Sequence, residues 1–482
     1  VPLVSRSRHG ALAIVLHSHM PYVEGFGTWP FGEEWLWEAM AGCYLELLDL
    51  LDAGAPLTLS LTPVLCDQLE AAGVGERFRA FVEDVRPDIH ARDAAGLRAG
   101  GHDALAREVE RALGDYDRAL ERLRGRGGDL LGALAPHAAW TSSATHAVLP
   151  MLATDAGVRA QVQSGVDSHH ARFGSWRGGF WLPECAYAPS LQRALTDAGV
   201  NAVCVELTNR FGEGAREHLQ PLQTVSGVVL VPIDRATISL VWSDQGYPAG
   251  AHYRDYHHHT VNHQKPWSND GSPYDHPRAI ALAQEHAADF VSRTLARLRE
   301  DGAGLPGGGL AVFAVDTELL GHWWYEGLSW LRAVVEECSR QGLELVRLDD
   351  ALEHHEPAPA AAGEDWPASS WGAQGDLSTW SGPAVADIAF ATRAAELDVV
   401  AAGARVSTTA LRELLALQGS DWAFMVSRGV AVPYARERFA GHLRELEAAL
   451  AHSGEPGPQD ERAMSALRNL AAHADRATLL SA

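Results

Sequence analysis

The chain is 482 residues long, 46% hydrophobic and 21% charged, ordinary values for a globular protein, and its length allows roughly two to four domains or one large barrel with additions. A formal net charge of −23 argues against a nucleic-acid backbone or an anionic membrane as partner and fits a neutral or cationic ligand better. Five cysteines without a CxxC pair suggest free thiols in a reducing compartment, so a cytoplasmic protein is expected.

In chain order, "ALAIVLHSH" is the first predicted strand, an apolar β-branched run that stops abruptly at His17, Ser18 and His19. Its apolar part, Ala11 to Leu16, is too short for a signal-peptide core or a membrane span, and no later window approaches one. "PLTLSLTP" is a second strand. From about residue 66 to 135 the pattern turns helical, with arginines and glutamates interleaved, which predicts a helical insertion. Strand-like segments then return as "RAQVQSG", "GGFWLPE", "NAVCVEL", "VVLVPID" and "GLAVFAVD", with helical stretches such as "RAIALAQEHAADFVSRTLARLRE" between several of them. Alternating strands and helices indicate a parallel sheet or barrel, whose C-terminal strand ends form the active face. A Pro/Ala-rich link from 356 to about 365 separates residues 1–355 from 356–482. Beyond it the pattern is helical near 386–400, 407–418, 433–452 and 459–479. The expected fold is a distorted α/β barrel with a helical insertion, followed by an all-helical C-terminal domain.

Three strand ends carry candidate chemistry. His17 and His19 share one face of an extended segment. Glu184 is set among Trp181, Pro183, Cys185 and Tyr187, surroundings that desolvate and fix a carboxylate; a structural pairing with an arginine accounts for that stretch equally well. Asp316 ends an apolar strand and is followed by Glu318, His322, Trp323 and Trp324. Two acids converging from separate strand ends suit glycosidic bond cleavage, where one protonates the leaving oxygen and the other attacks the anomeric carbon or activates water. Fifteen tryptophans support a sugar ligand, since an indole stacks well on the apolar face of a pyranose. Trp181, Trp267, Trp323, Trp324, Trp371 and Trp380 lie beside strand ends or in Gly/Ser/Pro-rich loops. Core packing accounts for any single one of them as readily.

A metal-dependent amidohydrolase also begins with HxH and ends with Asp, and the run His257-His258-His259 with His263 adds to that reading. The middle strands, however, offer no Lys or isolated His ligand, and three consecutive histidines rarely converge on one ion. The expectation is therefore no metal and no cofactor. A glycan-binding protein without catalysis is a third reading.

"HSHMPY", "GFWLPECAY" and "DTELLGHWW" resemble motifs of glycoside hydrolase family 57, most closely its 1,4-α-glucan branching enzymes. "SSWGAQGDLSTW" and "LQGSDWAFMVSRGVAVPYARERF" resemble the helical C-terminal domain of those enzymes, so the likeness runs nearly end to end. The resemblance implies a (β/α)7 barrel and a retaining reaction in which an α-1,4 glucan is cleaved and transferred to a 6-hydroxyl. It implies Glu184 as nucleophile, Asp316 as general acid/base, His17 and His19 around the −1 sugar, and Trp267, Trp371 and Trp380 along the substrate. It also implies Tyr247 at the tip of a mobile loop, 242–256, for which Gly246 and Gly250 are candidate hinges. The same two carboxylates serve hydrolysis or 4-α-glucanotransfer equally well, so they do not choose among the three outcomes. The apolar strand before Asp316 and the nearby Glu318 predict a raised Asp316 pKa. The expected partner is an α-glucan polymer such as amylose or glycogen, bound by a monomer or small homo-oligomer.

Overall fold

In a computed structural model the described residues are 10–27, 31–359, 368–451 and 469–480. Seven strands form a parallel sheet: β1 (Ala11–Ser18), β2 (Thr58–Leu61), β3 (Ala138–Ser142), β4 (Gly179–Trp181), β5 (Ala202–Val205), β6 (Val229–Pro232) and β7 (Leu310–Asp316). Their order is β6-β5-β4-β3-β2-β1-β7. The Asp234 N–H, just past β6, donates to the Val312 carbonyl of β7 at 2.9 Å and links the two ends of the curled sheet. Every residue of β1 is buried, as expected of a strand covered on both faces, so it has no polar alternation in sequence.

Between β2 and β3 the chain is helical, with α1 (Arg86–Ala99) packed against α2 (Asp103–Gly125). After β3 comes α3 (Asp155–Phe173). Here the sequence reading fails, because "RAQVQSG" is helix and the third strand is the unpredicted "AAWTS". The V-A-V spacing imitates a strand because the buried face of α3 is itself rich in polar and small residues, Gln161, Ser164, Gly165, Ser168 and His169, so the narrow outer stripe of Arg159, Gln163 and Asp167 does not stand out. Gly165 makes that burial possible: a Cβ there would lie 2.0 Å from the Ser142 carbonyl oxygen of β3. Helices α4 (His276–Glu300) and α5 (Gly327–Gln341) pack on each other, and α4 flanks β7.

The C-terminal part holds α6 (Ala386–Ala402), α7 (Thr408–Leu417), α8 (Ser420–Arg428) and α9 (Val432–Ala451). Its core is continuous with barrel residues Tyr22, Val64, Ala144 and Ala160. Most of the predicted link, and residues 459–468 of the last predicted helix, lie outside the described residues. Tyr187 and Ser369 exchange both backbone hydrogen bonds, at 2.9 and 3.0 Å, tying the start of this part to the loop after β4. No described helix is long and apolar enough to cross a membrane.

Candidate active site

The C-terminal ends of β1, β3, β4 and β7 meet the N-terminus of α8. β4 ends at Trp181, and Pro183 leads into Glu184 at φ 61°, ψ 22°, followed by Cys185 at φ 48°. Left-handed conformations in non-glycine residues cost about 1–3 kcal/mol each and persist only where the surroundings fix them. The surroundings do so here. The Trp371 N–H donates to the Glu184 carbonyl at 3.0 Å, and the Cys185 N–H donates to the Leu182 carbonyl at 2.9 Å. His146, in the loop after β3, is held at φ 59° and points into the same space.

Two donors grip the Glu184 carboxylate: the Trp371 indole N–H at 2.9 Å on Oε2 and the Ser420 hydroxyl at 3.0 Å on Oε1. Ser420 is the first residue of α8 and lies 2.9 Å from His146 Nδ1. His146 Nε2 is 3.0 Å from His17 Nε2, and His17 Nδ1 is 3.1 Å from Ser60 Oγ. Burial holds both histidines well below their ordinary pKa, with the charge of His19 adding to it, so both are neutral. With one proton each, only one direction satisfies the chain once Ser420 donates to Glu184. His146 Nδ1–H then donates to Ser420, His17 Nε2–H to His146, and Ser60 to His17 Nδ1. Four residues from three strand ends and one helix thereby orient a single carboxylate.

Asp316 sits opposite. It pairs in register with His17 across β7 and β1, and among the described residues nothing donates to its carboxyl. Burial raises its pKa well above the carboxylate range, and the charges of Glu318, Glu184 and Asp421 raise it further. Glu318 is itself lifted to about 7 by burial, although the Tyr44 hydroxyl and the His19 N–H, the latter at 3.1 Å, donate to it. Burial also raises Glu184, but its two donors oppose the shift. His19 pairs with Asp421 at 2.9 Å; burial lowers its pKa, yet Asp421, Glu318 and Glu184 outweigh that, and the net shift is upward. The site therefore combines a clamped carboxylate, a carboxyl that favours its proton, and a histidine whose acidic neighbours favour its protonated form.

Of the residues singled out in the sequence, Glu184, Asp316, His17, His19 and Trp371 come together here. Trp181 stacks on His17, with ring centroids 4.6 Å apart. Trp323 is exposed and leans on Trp242, also exposed, at 6.1 Å. Trp267 is half-buried and stacked on His258 at 3.8 Å. Two expectations differ from what is found. Trp380 is buried in the core of the C-terminal helices, packed behind Gly372 rather than along an open surface. Tyr247 is half-buried instead of at a loop tip. Its hydroxyl donates to Asp289 of α4 at 2.7 Å, and its ring stacks on His286 at 4.5 Å. The exposed aromatic of that loop is Trp242. The histidine run disperses, His258 to Trp267 and His259 to His263 at 4.3 Å, and no cluster of three or more potential metal ligands occurs among the described residues. The sequence reading missed His146, Ser420 and Asp421. The last two lie inside the quoted "LQGSDWAF", but nothing local marks them as neighbours of a residue 236 positions away.

Comparison with known proteins gives the family of the chain. The profile of Glycosyl hydrolase family 57 matches residues 139–361, and that of the 1,4-alpha-glucan branching enzyme C-terminal region matches 386–475. A 1,4-alpha-glucan branching enzyme of Thermococcus kodakarensis is 31% identical over 91% of this chain and 73% of its own length. The chain belongs to glycoside hydrolase family 57. A probable 1,4-alpha-glucan branching enzyme of Mycobacterium tuberculosis is 32% identical over 92% of both chains. The crystal structure of a family 57 branching enzyme from Pyrococcus horikoshii superposes with a TM-score of 0.88 at 29% identity, covering 98% of this chain and 97% of that one. The family 57 match contains His146, Glu184 and Asp316 and the C-terminal match contains Ser420 and Asp421, while His17, His19, Ser60 and Trp371 lie outside both.

Proposed function

We propose that this family 57 chain is a 1,4-α-glucan branching enzyme working by retaining double displacement, with Glu184 as nucleophile and Asp316 as general acid/base. The observation that carries the division of roles is the asymmetry of the two carboxyls. Glu184 has two donors that favour its ionised form and a fixed backbone, as a nucleophile needs. Asp316 is buried among acids and favours its proton, as the group that protonates the leaving oxygen needs.

Glu184 attacks the anomeric carbon of an α-1,4-linked glucosyl unit while Asp316 gives its proton to the departing 4-oxygen. A covalent glycosyl–Glu184 ester results. Asp316, now ionised, takes the proton of an incoming glucan 6-hydroxyl as that oxygen attacks the anomeric carbon, and Glu184 leaves as a carboxylate. His19, whose protonated form its acidic neighbours favour, is placed to offset the negative charge that accumulates while both carboxyls cycle. On this reading residues 1–355 form the catalytic barrel, and 356–482 form a helical domain that completes the groove through Trp371 and Ser420. The polymer is amylose, glycogen or a related α-glucan, bound by a monomer or small homo-oligomer. Five buried, unbridged thiols suit a reducing compartment such as the cytoplasm.

Incubation with amylose, followed by proton NMR of the products and a count of reducing ends, tests the reaction. New α-1,6 signals with few new reducing ends are expected. Reducing ends without α-1,6 signals would make the chain a hydrolase on this scaffold, and neither without chain-length redistribution would leave no glucan chemistry to explain.

A further inference from the structure

The run "YHHHTVNHQKPW", Tyr256 to Trp267, takes no part in the chemistry above, yet it is firmly placed. Its middle docks on α1: Thr260 donates to Asp93, the Asn262 amide donates to the same carboxylate at 2.8 Å, and Gln264 accepts from Arg86 at 3.4 Å. Between this segment and α1 and α2 lies a cavity of about 240 Å³. That is below the ~300–1,000 Å³ of pockets for drug-sized ligands, and suits a sugar ring better than a folded polymer segment.

The cavity shares a wall with the catalytic site. Gly321 to Trp323 line it, and they end the turn that begins at Asp316. Ala41 and Gly42 also line it, in the single helical turn Met40–Tyr44 whose Tyr44 hydroxyl donates to Glu318 on the catalytic side.

Its chemistry is that of a hydroxyl-binding site. Trp323 and Tyr256 supply aromatic surface. Lys265 Nζ rests 3.7 Å from the Tyr256 ring centroid and makes no hydrogen bond or ion pair among the described residues. The Gln264 amide nitrogen is buried and equally without a partner. A buried donor left without a partner is costly, so the retention of the Gln264 amide is explained by a ligand that accepts from it, and the half-buried Lys265 amine is a second donor within reach of the same ligand. The charges of the other arginines of the wall are paired, Arg86 with Glu38 at 3.1 Å and Arg254 with Glu108 at 2.5 Å, although the Nε of each lacks a hydrogen-bond partner. With one amine left over, and that amine lowered to about 8 by burial, the cavity is poorly furnished for a phosphate dianion. Two donors between aromatic faces fit a neutral sugar.

We propose that this cavity, formed by Tyr256, Gln264, Lys265 and Trp323 beside the Asp316 turn, binds a glucosyl unit of the acceptor chain. The proposal rests on the branching reading above. An acceptor anchored there approaches from the Asp316 side, so that the 6-hydroxyl of a neighbouring unit loses its proton to Asp316 as its oxygen attacks the Glu184-bound anomeric carbon. The glycosyl–Glu184 bond breaks as the new C1–O6 bond forms. Water needs no such anchor. Loss of the site therefore separates branching from hydrolysis.

The test compares wild type with Lys265→Met and Lys265→Arg on amylose, scoring α-1,6 linkages and reducing ends in the same samples. Lys265→Met is expected to lower branching about tenfold at limiting glucan while reducing-end formation stays within about twofold, with partial rescue in Lys265→Arg. Unchanged branching, or branching and hydrolysis falling together, would overturn the proposal. If the wild type forms no α-1,6 linkages, the branching reading fails first and the cavity is judged by binding. Calorimetry with maltotetraose on Glu184→Gln and Glu184→Gln/Lys265→Met then decides: loss of one class of sites supports a sugar cavity, and identical isotherms reject it.

Discussion

Glu184 and Asp316 are both carboxyls at the ends of barrel strands, both packed away from bulk water, and their surroundings are nearly opposite. Around Glu184 the chain has assembled donors from distant parts of the sequence, an indole from the loop at 371 and a hydroxyl from the start of α8, the latter aligned by two neutral histidines. Around Asp316 it has assembled acids, with Glu318, Asp421 and Glu184 all adding to the effect of burial. Burial alone pushes both groups toward the neutral form. What differs is whether hydrogen-bond donors pull back, and the difference assigns each carboxyl its task.

The largest expected effect comes from removing the clamped group. Glu184→Gln is expected to lower branching and hydrolysis together by at least about 10⁴-fold, because both proceed through the same ester. A variant that kept hydrolysis while losing branching would break the comparison. Asp316→Asn is expected to cost about 10²–10⁴-fold on amylose, with a much smaller loss of the first step on α-maltosyl fluoride, whose leaving group needs no proton. Equal losses on the two substrates would remove the acid role. Ser420→Ala, which takes away one charge-assisted hydrogen bond, is expected to lower kcat/KM about tenfold to a hundredfold, corresponding to the ~1.5–3 kcal/mol such a bond carries. It should also move the acid limb of the pH profile upward, since Glu184 loses a partner that favours ionisation.

Tyr44→Phe is the mildest change. The lost donor raises the Glu318 pKa, a more neutral Glu318 repels the Asp316 carboxylate less, and the Asp316 pKa falls. The alkaline limb of activity, set by loss of the Asp316 proton, should therefore shift to lower pH with kcat at the optimum within about twofold. The same asymmetry has a stability signature. Asp316 is raised in the fold, so its contribution is most favourable below the pKa of an unfolded aspartate and is lost as pH rises toward the folded value. Asp316→Asn should thus melt higher than wild type, by a margin that grows from pH 5 to pH 8. The Glu184→Gln margin should be smaller, since Gln cannot accept from both donors without loss.

Much of the barrel was legible, because strands buried on both faces are written as short apolar runs that stop at polar residues: "ALAIVLHSH", "NAVCVEL" and "GLAVFAVD" all lie on barrel strands. β3 and α3 were not. A strand written "AAWTS" has too little apolar character to stand out, and a helix whose buried face is as polar as its outer stripe does not show its period. In the site, Glu184 and Asp316 were marked by their immediate neighbours, aromatics around one and an apolar strand before the other. The residues that tell the two apart were not marked. Ser420 and His146 act on Glu184 only because α8 packs across the barrel mouth, and such packing leaves no local pattern. Trp380 errs in the other direction: its Gly/Ser-rich setting suggested a sugar platform, and folding buried it.

The most direct test of the roles is chemical rescue by azide of Glu184→Ala and Asp316→Ala on α-maltosyl fluoride, with the configuration of the maltosyl azide read by NMR. Azide entering the space vacated by Glu184 attacks from the face opposite the leaving group, so the β-azide is expected from Glu184→Ala. In Asp316→Ala the ester still forms and azide opens it, so the α-azide is expected. The reversed pattern, or one configuration from both variants, would contradict the assignment of nucleophile and acid/base.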